Sequence, residues 1–397
     1  MGLAVTEKEK ALIMRFEFAT AGRIIFGPGV IDELGEIVSG WGQRVLLVTG
    51  RHPARSQRAL SLLAGMGLDV ELFRVSREPT VDMIADGVER ARAHRSEMVV
   101  GCGGGSVLDA GKAIAALLTN GGAPLDYLEV VGKGKPILNP SAPYVAIPTT
   151  AGTGAEVTRN AVLAVPEQRV KVSMRSQWLL PRVALVDPGL THSMPPGVTA
   201  STGLDALTQL IEPYVSRLAN PLTDAVCREG LMRAGRSLRR AYTNGSDAQA
   251  REDMALASLC GGLALANAKL GAVHGFAGVL GGMYEIPHGI VCGRLLPSVV
   301  TVNVRALQSR VPDHRALQRY REIGMWLTGR AEAQIEDAVQ WVLDTCDLFQ
   351  IPGLASYGVG RSDFPTIVAK ARRSSSMKGN PIQLTEQELL QILEQAL

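Results

Sequence analysis

The sequence predicts a parallel α/β domain over residues 1–190 and an all-α domain over residues 191–397. Two observations carry the first half: short Val- and Leu-rich runs, and helical stretches that alternate with them. The second half rests on the loss of strand-like alternation after about Asp187, where Pro188, Pro195 and Pro196 punctuate the chain. Strand, helix and strand in repetition imply parallel strands joined by helical crossovers. At 397 residues the chain is long enough for two separate cores.

The elements follow in order. Arg44 to Thr49 is a short apolar run suited to a strand buried on both faces. A helix is expected through Ser56 to Met66, and a second strand over Val70 to Val75. Val81, Ile84, Ala85 and Val88 have helical spacing within Val81 to His94. Met98 and Val99 lead into a glycine cluster, and Val107 to Leu118 is again helical. Tyr144 to Pro148 and Val183 to Val186 complete the strands. Beyond them Gly245 marks a helix end, and Pro381 precedes a last helix from about Thr385, which has Glu388 at capping-box spacing.

Composition excludes several classes. The formal net charge is only +3, and no basic run is interleaved with aromatics, which argues against nucleic acid. Apolar stretches are broken by Gly, Pro or charge, so no membrane span is expected. The start lacks the apolar core of a secretion signal, although MGLAVT fits the permissive N-myristoylation pattern. Cys102, Cys227, Cys260, Cys292 and Cys346 are scattered and odd in number, with no C-x-x-C pair. Neither a disulfide framework nor a cysteine zinc site is suggested, and a cytoplasmic location is expected.

The strongest local signal is the run from Gly101 to Lys112, GCGGGSVLDAGK, between a predicted strand and a predicted helix. Gly103, Gly104 and Gly105 let a ligand approach the backbone, and free N–H groups at a helix start attract phosphate. Ser106 stands where the G-x-G-x-x-G fingerprint needs its third glycine, and a plain tight turn is the alternative. A second loop, Pro148 to Gly154, offers Thr149, Thr150 and Thr153 after another strand. Two such loops at the carboxyl ends of parallel strands lie where open α/β sheets bind ligands.

In the helical half, Asp205, Gln209 and Glu212 stand at i, i+4 and i+7, on one helix face. His274 and His288 lie in one glycine-rich region downstream. An acid and two imidazoles from separate segments can converge on a divalent cation, with an amide oxygen or water as the fourth donor. Taken singly, each of these residues reads more readily as a satisfied core or solvated side chain than as a ligand.

Together these segments resemble the iron-containing, or group III, alcohol dehydrogenases, over nearly the whole chain. The resemblance is carried by Gly103 to Ser106 with Asp109 and Lys112, by Pro148 to Gly154, and by Asp187-Pro188. Further carriers are Gly203-Leu204-Asp205, His274, Pro287-His288-Gly289 and Asn380-Pro381. It implies a Rossmann-like dinucleotide-binding domain and a helical metal and substrate domain, the dehydroquinate synthase-like architecture, with the active site in the cleft. It also implies an NAD(P)-dependent oxidoreductase that moves hydride between nicotinamide and a small alcohol or carbonyl compound, and a homodimer is the default expectation. By the resemblance, Gly103 to Ser106 hold the pyrophosphate, and Asp109 lies near the nicotinamide. Gly50, Thr149, Thr150 and Thr153 line the cofactor cleft, and Lys171 reaches the ribose. Asp205, His274 and His288 match catalytic metal positions for Fe2+ or Zn2+, with Gln209 as the fourth.

Three departures qualify the resemblance. Gln209 stands where members usually place a histidine ligand, and Gly278 replaces a histidine four residues after His274. An amide oxygen is a weaker ligand than imidazole. Gly50 and Arg51 follow the first strand where many NAD-using members carry an acid, so a 2′-phosphate is expected to be tolerated. The alternative reading is a metal-independent, maleylacetate reductase-like enzyme of an unsaturated keto acid, for which Arg159, Arg175 or Arg294 would hold carboxylates. A dehydroquinate synthase-like lyase and a cofactor-binding protein without activity are the more distant alternatives.

Overall fold

The computed structural model describes residues 15–168 and 170–397; the MGLAVT pattern lies outside them. Eight strands are seen: β1 Arg23–Phe26, β2 Arg44–Gly50, β3 Asp69–Val75, β4 Met98–Gly103, β5 Tyr144–Pro148, β6 Asn160–Val165, β7 Val170–Arg175 and β8 Val183–Val186. Six of them form one parallel sheet in the order β1-β8-β5-β4-β2-β3. β2, β4 and β5 are apolar along their length because both faces are covered. The helices α1 Leu34–Val38, α2 Gln57–Gly65, α3 Val81–Ala93, α4 Gly105–Asn120 and α5 Pro124–Tyr127 belong to this half.

From β2 the chain runs outward to β3 and then returns past β2 to β4. The strand order therefore reverses between β2 and β4, and a crevice opens at their carboxyl ends. Gly50 ends β2 and Gly103 ends β4, so the glycine cluster sits at this reversal. The sequence reading left out the edge strand β1, the antiparallel hairpin β6–β7 and the short helices α1 and α5. The hairpin is tied to α4, because Asp109 Oδ2 accepts from Val162 N at 2.9 Å.

The second half is helical: α6 Pro196–Val215, α7 Pro221–Thr243, α8 Ala248–Ala268, α9 Ala272–Met283, α10 His288–Arg310, α11 Arg315–Thr328, α12 Ile335–Leu348, α13 Phe364–Ala371 and α14 Glu386–Ala396. Thr385 and Glu388 form the expected capping box, with Thr385 N donating to Glu388 Oε2 at 2.7 Å. Among the described residues α10 alone is long and apolar enough to cross a bilayer. Most of it is buried, and its apolar residues pack in the core of the helical half.

Lys112, buried on α4, pairs with Asp109 at 2.8 Å and donates to the carbonyl of Ala155 and the hydroxyl of Thr158 at 3.0 Å each. It thereby pins the segment that follows the Pro148–Gly154 loop. Glu156 in that segment is 2 % exposed. Burial pushes its carboxyl up to about 7, although its own backbone and the nearby Lys112 ammonium pull the other way. A raised folded-state value makes the native protein hold a proton that the unfolded chain releases above about 4.5. Stability is then lost as pH rises through 7, by about 3 kcal/mol for a shift of this size. Glu156→Gln should therefore gain melting temperature over the wild type at pH 8 and little at pH 5; an equal gain at both would contradict the assignment.

Candidate active site

The site is built from two loops and three helices. Gly103 pairs with Pro148 in the sheet, and Thr149 N donates to Gly103 O at 2.9 Å, so the loops after β4 and β5 start side by side. Gly104 is the N-cap of α4, and no side chain caps that helix. Its first turn, Gly105 and Ser106, is half-buried, which leaves backbone N–H groups able to meet an anion. A Cβ at Gly105 would stand 2.7 Å from Thr153, and one at Gly104 would stand 3.3 Å from Thr150. The threonine loop thus presses on the glycine turn. Its other side presses on α6: a Cβ at Gly152 would stand 2.6 Å from Thr202 Cβ. Thr202 is one helical turn before Asp205.

Asp205, Gln209 and Glu212 are all buried on α6. His274 lies in the first turn of α9, whose start is fixed by Asn380 Oδ1 accepting from Ala272 N at 3.2 Å. Glu212 Oε2 accepts from His274 Nδ1 at 2.7 Å, and its Oε1 accepts from Val273 N at 2.6 Å. That pair fixes the ring and leaves Nε2 facing Asp205 Oδ1 at 3.3 Å. His288 is the first residue of α10, and its Nε2 is 3.7 Å from the same oxygen. Its side chain is 40 % exposed, so the cluster opens on this side.

Cys292 completes the group. It lies one turn after His288 on α10, on the same face. Its sulfur is 3.8 Å from Asp205 Oδ1 and 3.9 Å from His274 Nε2. Donor atoms of Asp205, His274, His288 and Cys292 all lie within 4.8 Å of one another. The sequence reading set this cysteine aside with the others; its spacing of four from His288 was the signal available.

Burial alone would raise Asp205 and Cys292 and lower both imidazoles. Opposite charges override it. Asp205 is held below the usual carboxylate range by His288 and His274, and Cys292 is lowered by the same two rings. His274 is raised well above its ordinary value by Cys292, Asp205 and Glu212, and His288 is raised by Cys292 and Asp205. A divalent cation would bring positive charge to the same point.

The donor set fits such an ion. It pairs carboxylate, imidazole and thiol with a carboxylate–histidine contact behind it. The Gln209 amide lies against Asp205, and its Oε1 is buried without a hydrogen-bond partner. A Cβ at Gly278 would meet nothing within 4 Å, so the position that resembles a family histidine is open space.

The remaining expected residues fall at the cleft with other bonds of their own. Lys171 on β7 bonds Glu78 at 2.7 Å and approaches Gly281 of α9. Asp109 is engaged by Lys112 and Val162. Of the arginines considered for a keto acid, Arg159 pairs with Glu17 and Arg175 with Glu129, while Arg294 bonds Ala396 O. Phe276 is wholly buried core.

Comparison with known proteins agrees along nearly the whole chain. The description "Iron-containing alcohol dehydrogenase" matches residues 21–188, and "Fe-containing alcohol dehydrogenase family, C-terminal" matches residues 199–397. The chain belongs to the iron-containing alcohol dehydrogenase family. It is an NAD(P)-dependent oxidoreductase that acts on alcohols. It is 36% identical over 389 residues to 1,3-propanediol dehydrogenase of Klebsiella pneumoniae, covering 96% of this chain and 98% of the relative. A crystal structure of a 1,3-propanediol oxidoreductase superposes with a TM-score of 0.89 at 34% identity, covering 97% of this chain and 100% of that one. Sulfoacetaldehyde reductase from Bifidobacterium kashiwanohense, solved in complex with NAD+, gives 0.85 at 29% identity, covering 96% of this chain and 99% of that one.

The contact at Gly105 generates a prediction. Gly105→Ala should push the glycine turn and the threonine loop apart, raise the dissociation constant for NADPH about tenfold, and lower the melting temperature through an overpacking cost of about 1–3 kcal/mol. Cofactor fluorescence titration reads it, and unchanged affinity would remove the turn from the binding site.

Proposed function

We propose that the enzyme interconverts small alcohols with aldehydes or ketones, and that a divalent metal, Fe2+ or Zn2+, assists it. The observation that carries this is the convergence of Asp205, His274 and His288 beside the threonine loop. These three would hold the ion, with the Gln209 amide alongside Asp205. When bound, the ion polarises the substrate oxygen as a Lewis acid, and the nicotinamide carries the hydride.

The protein's own residues do the rest. Glu212 holds His274 in one tautomer and orientation, which sets where Nε2 points. Gly104, Gly105 and Ser106 place the pyrophosphate at the start of α4, while Thr149, Thr150 and Thr153 border the cofactor between sheet and helices. Gly50 borders the same cleft at the end of β2. Lys171 reaches the ribose if it exchanges its partner Glu78, and Asp109, tied to the hairpin at Val162, lies near the nicotinamide. The open space at Gly278 leaves proton exchange with the substrate oxygen to water or the cofactor ribose. A homodimer in the cytoplasm is the setting we propose for this chemistry.

Two outcomes are expected. Chelation of protein purified without chelator should lower aldehyde reduction on the order of 10²-fold or more, and zinc or ferrous ion should restore it. Full activity with no bound ion would overturn the metal reading. With Gly50 and exposed Arg51 where an acid would repel a 2′-phosphate, kcat/KM for NADPH should equal or exceed that for NADH. A strong preference for NADH would contradict that reading of Arg51.

A further inference from the structure

We propose that the Cys292 sulfur is a direct donor to the ion, which makes the centre an Asp/His/His/Cys one that the substrate oxygen would join as a fifth donor from the open His288 side. The inference rests on the metal reading above and goes beyond it by naming a ligand of different chemistry. Its ground is geometric. In a four-coordinate zinc site with Zn–O and Zn–N near 2.0–2.2 Å and Zn–S near 2.3 Å, neighbouring donors stand roughly 3.3–3.7 Å apart. Asp205 Oδ1 is 3.3 Å from His274 Nε2, 3.7 Å from His288 Nε2 and 3.8 Å from Cys292 Sγ, and the sulfur is 3.9 Å from His274 Nε2. These four of the six edges match such a tetrahedron to within a few tenths of an ångström, and the other two lie within 4.8 Å.

The backbone fixes the same arrangement. His288 and Cys292 are one turn apart on α10, so the helix that delivers the imidazole also delivers the sulfur. Gly289 between them packs against the backbone of Ser201 on α6, which sets the approach of the two helices. Cys292 is wholly buried and its polar neighbours are the other donors, whereas Cys102, Cys227, Cys260 and Cys346 are buried away from this group.

Chemistry separates Cys292 from Gln209. A neutral amide oxygen leaves one negative donor on a divalent ion, whereas a thiolate makes it two and gives a neutral centre. The thiol releases its proton to solvent when the ion binds. Thiolate softness favours zinc over ferrous ion among the metals considered. Gln209 then acts on Asp205, orienting its carboxylate from outside the ligand set.

Cobalt substitution of the full-length protein tests this. With equimolar Co2+ the wild type should show an intense thiolate-to-cobalt charge-transfer band in the near ultraviolet. Cys292→Ser should lose the band, and Gln209→Ala should keep it. Zinc affinity, measured by chelator competition, should fall in Cys292→Ser by more than the roughly 10–100-fold typical of losing an outer-shell partner. Cobalt bound without the band, or a band that survives Cys292→Ser, would overturn the thiolate ligand while leaving the metal reading intact. Failure of the wild type to bind cobalt or zinc at all would overturn the metal reading itself. Should Cys292→Ser not fold, the wild-type band and its survival in Gln209→Ala still decide the matter.

Discussion

The threonine loop from Pro148 to Gly154 sits in contact with two structures that must be held at a fixed distance. On one side its hydroxyl-bearing residues press on the glycine turn that opens α4; on the other, Gly152 lies against Thr202 of α6. These contacts leave no space for an added Cβ, so they work as a rigid spacer between the turn and Asp205. A packed spacer of this kind deforms little, because protein interiors are as dense as organic crystals. The relative position of the glycine turn and α6 therefore follows from these close contacts.

The second constraint is electrostatic. Asp205 and Glu212 are carboxylates buried on one helix, and an isolated buried charge of this kind is very costly. Glu212 is satisfied by His274 and the backbone of Val273; Asp205 faces two imidazoles. An arrangement that collects negative donors around one point and keeps one side open is poor as a packing solution. It becomes reasonable once a cation is to be held there. The open volume at Gly278 and the orphaned oxygen of Gln209 belong to the same picture, since the family resemblance leads one to expect imidazoles at both positions.

Much of the sheet was legible because buried parallel strands read as continuous apolar runs. Tyr144–Pro148 and Val183–Val186 were read to the residue, and Arg44–Gly50 to within one. The edge strand Arg23–Phe26 escaped because it is short and partly exposed, with no strong apolar run to mark it. The hairpin strands Asn160–Val165 and Val170–Arg175 escaped although the second, Val-Lys-Val-Ser-Met-Arg, alternates, because each is only six residues long and Pro166 directly follows the first. Of the site, the face of α6 was visible from helical spacing. The convergence of α9 and α10 on it was not, since local periodicity carries no information about contacts between segments far apart in sequence. Cys292 was overlooked because cysteine patterns were judged against other cysteines, when its partners are imidazoles and a carboxylate.

The account stands on the cofactor turn and the Asp205 cluster facing one another across the threonine loop. Anomalous diffraction at the zinc edge, from crystals grown with zinc and NADPH, tests that most directly. The account predicts a single strong peak bounded by Asp205, His274 and His288, with the pyrophosphate at Gly104 to Ser106 and the nicotinamide turned toward the peak. A cofactor bound elsewhere, or no metal peak among those three side chains, would contradict it.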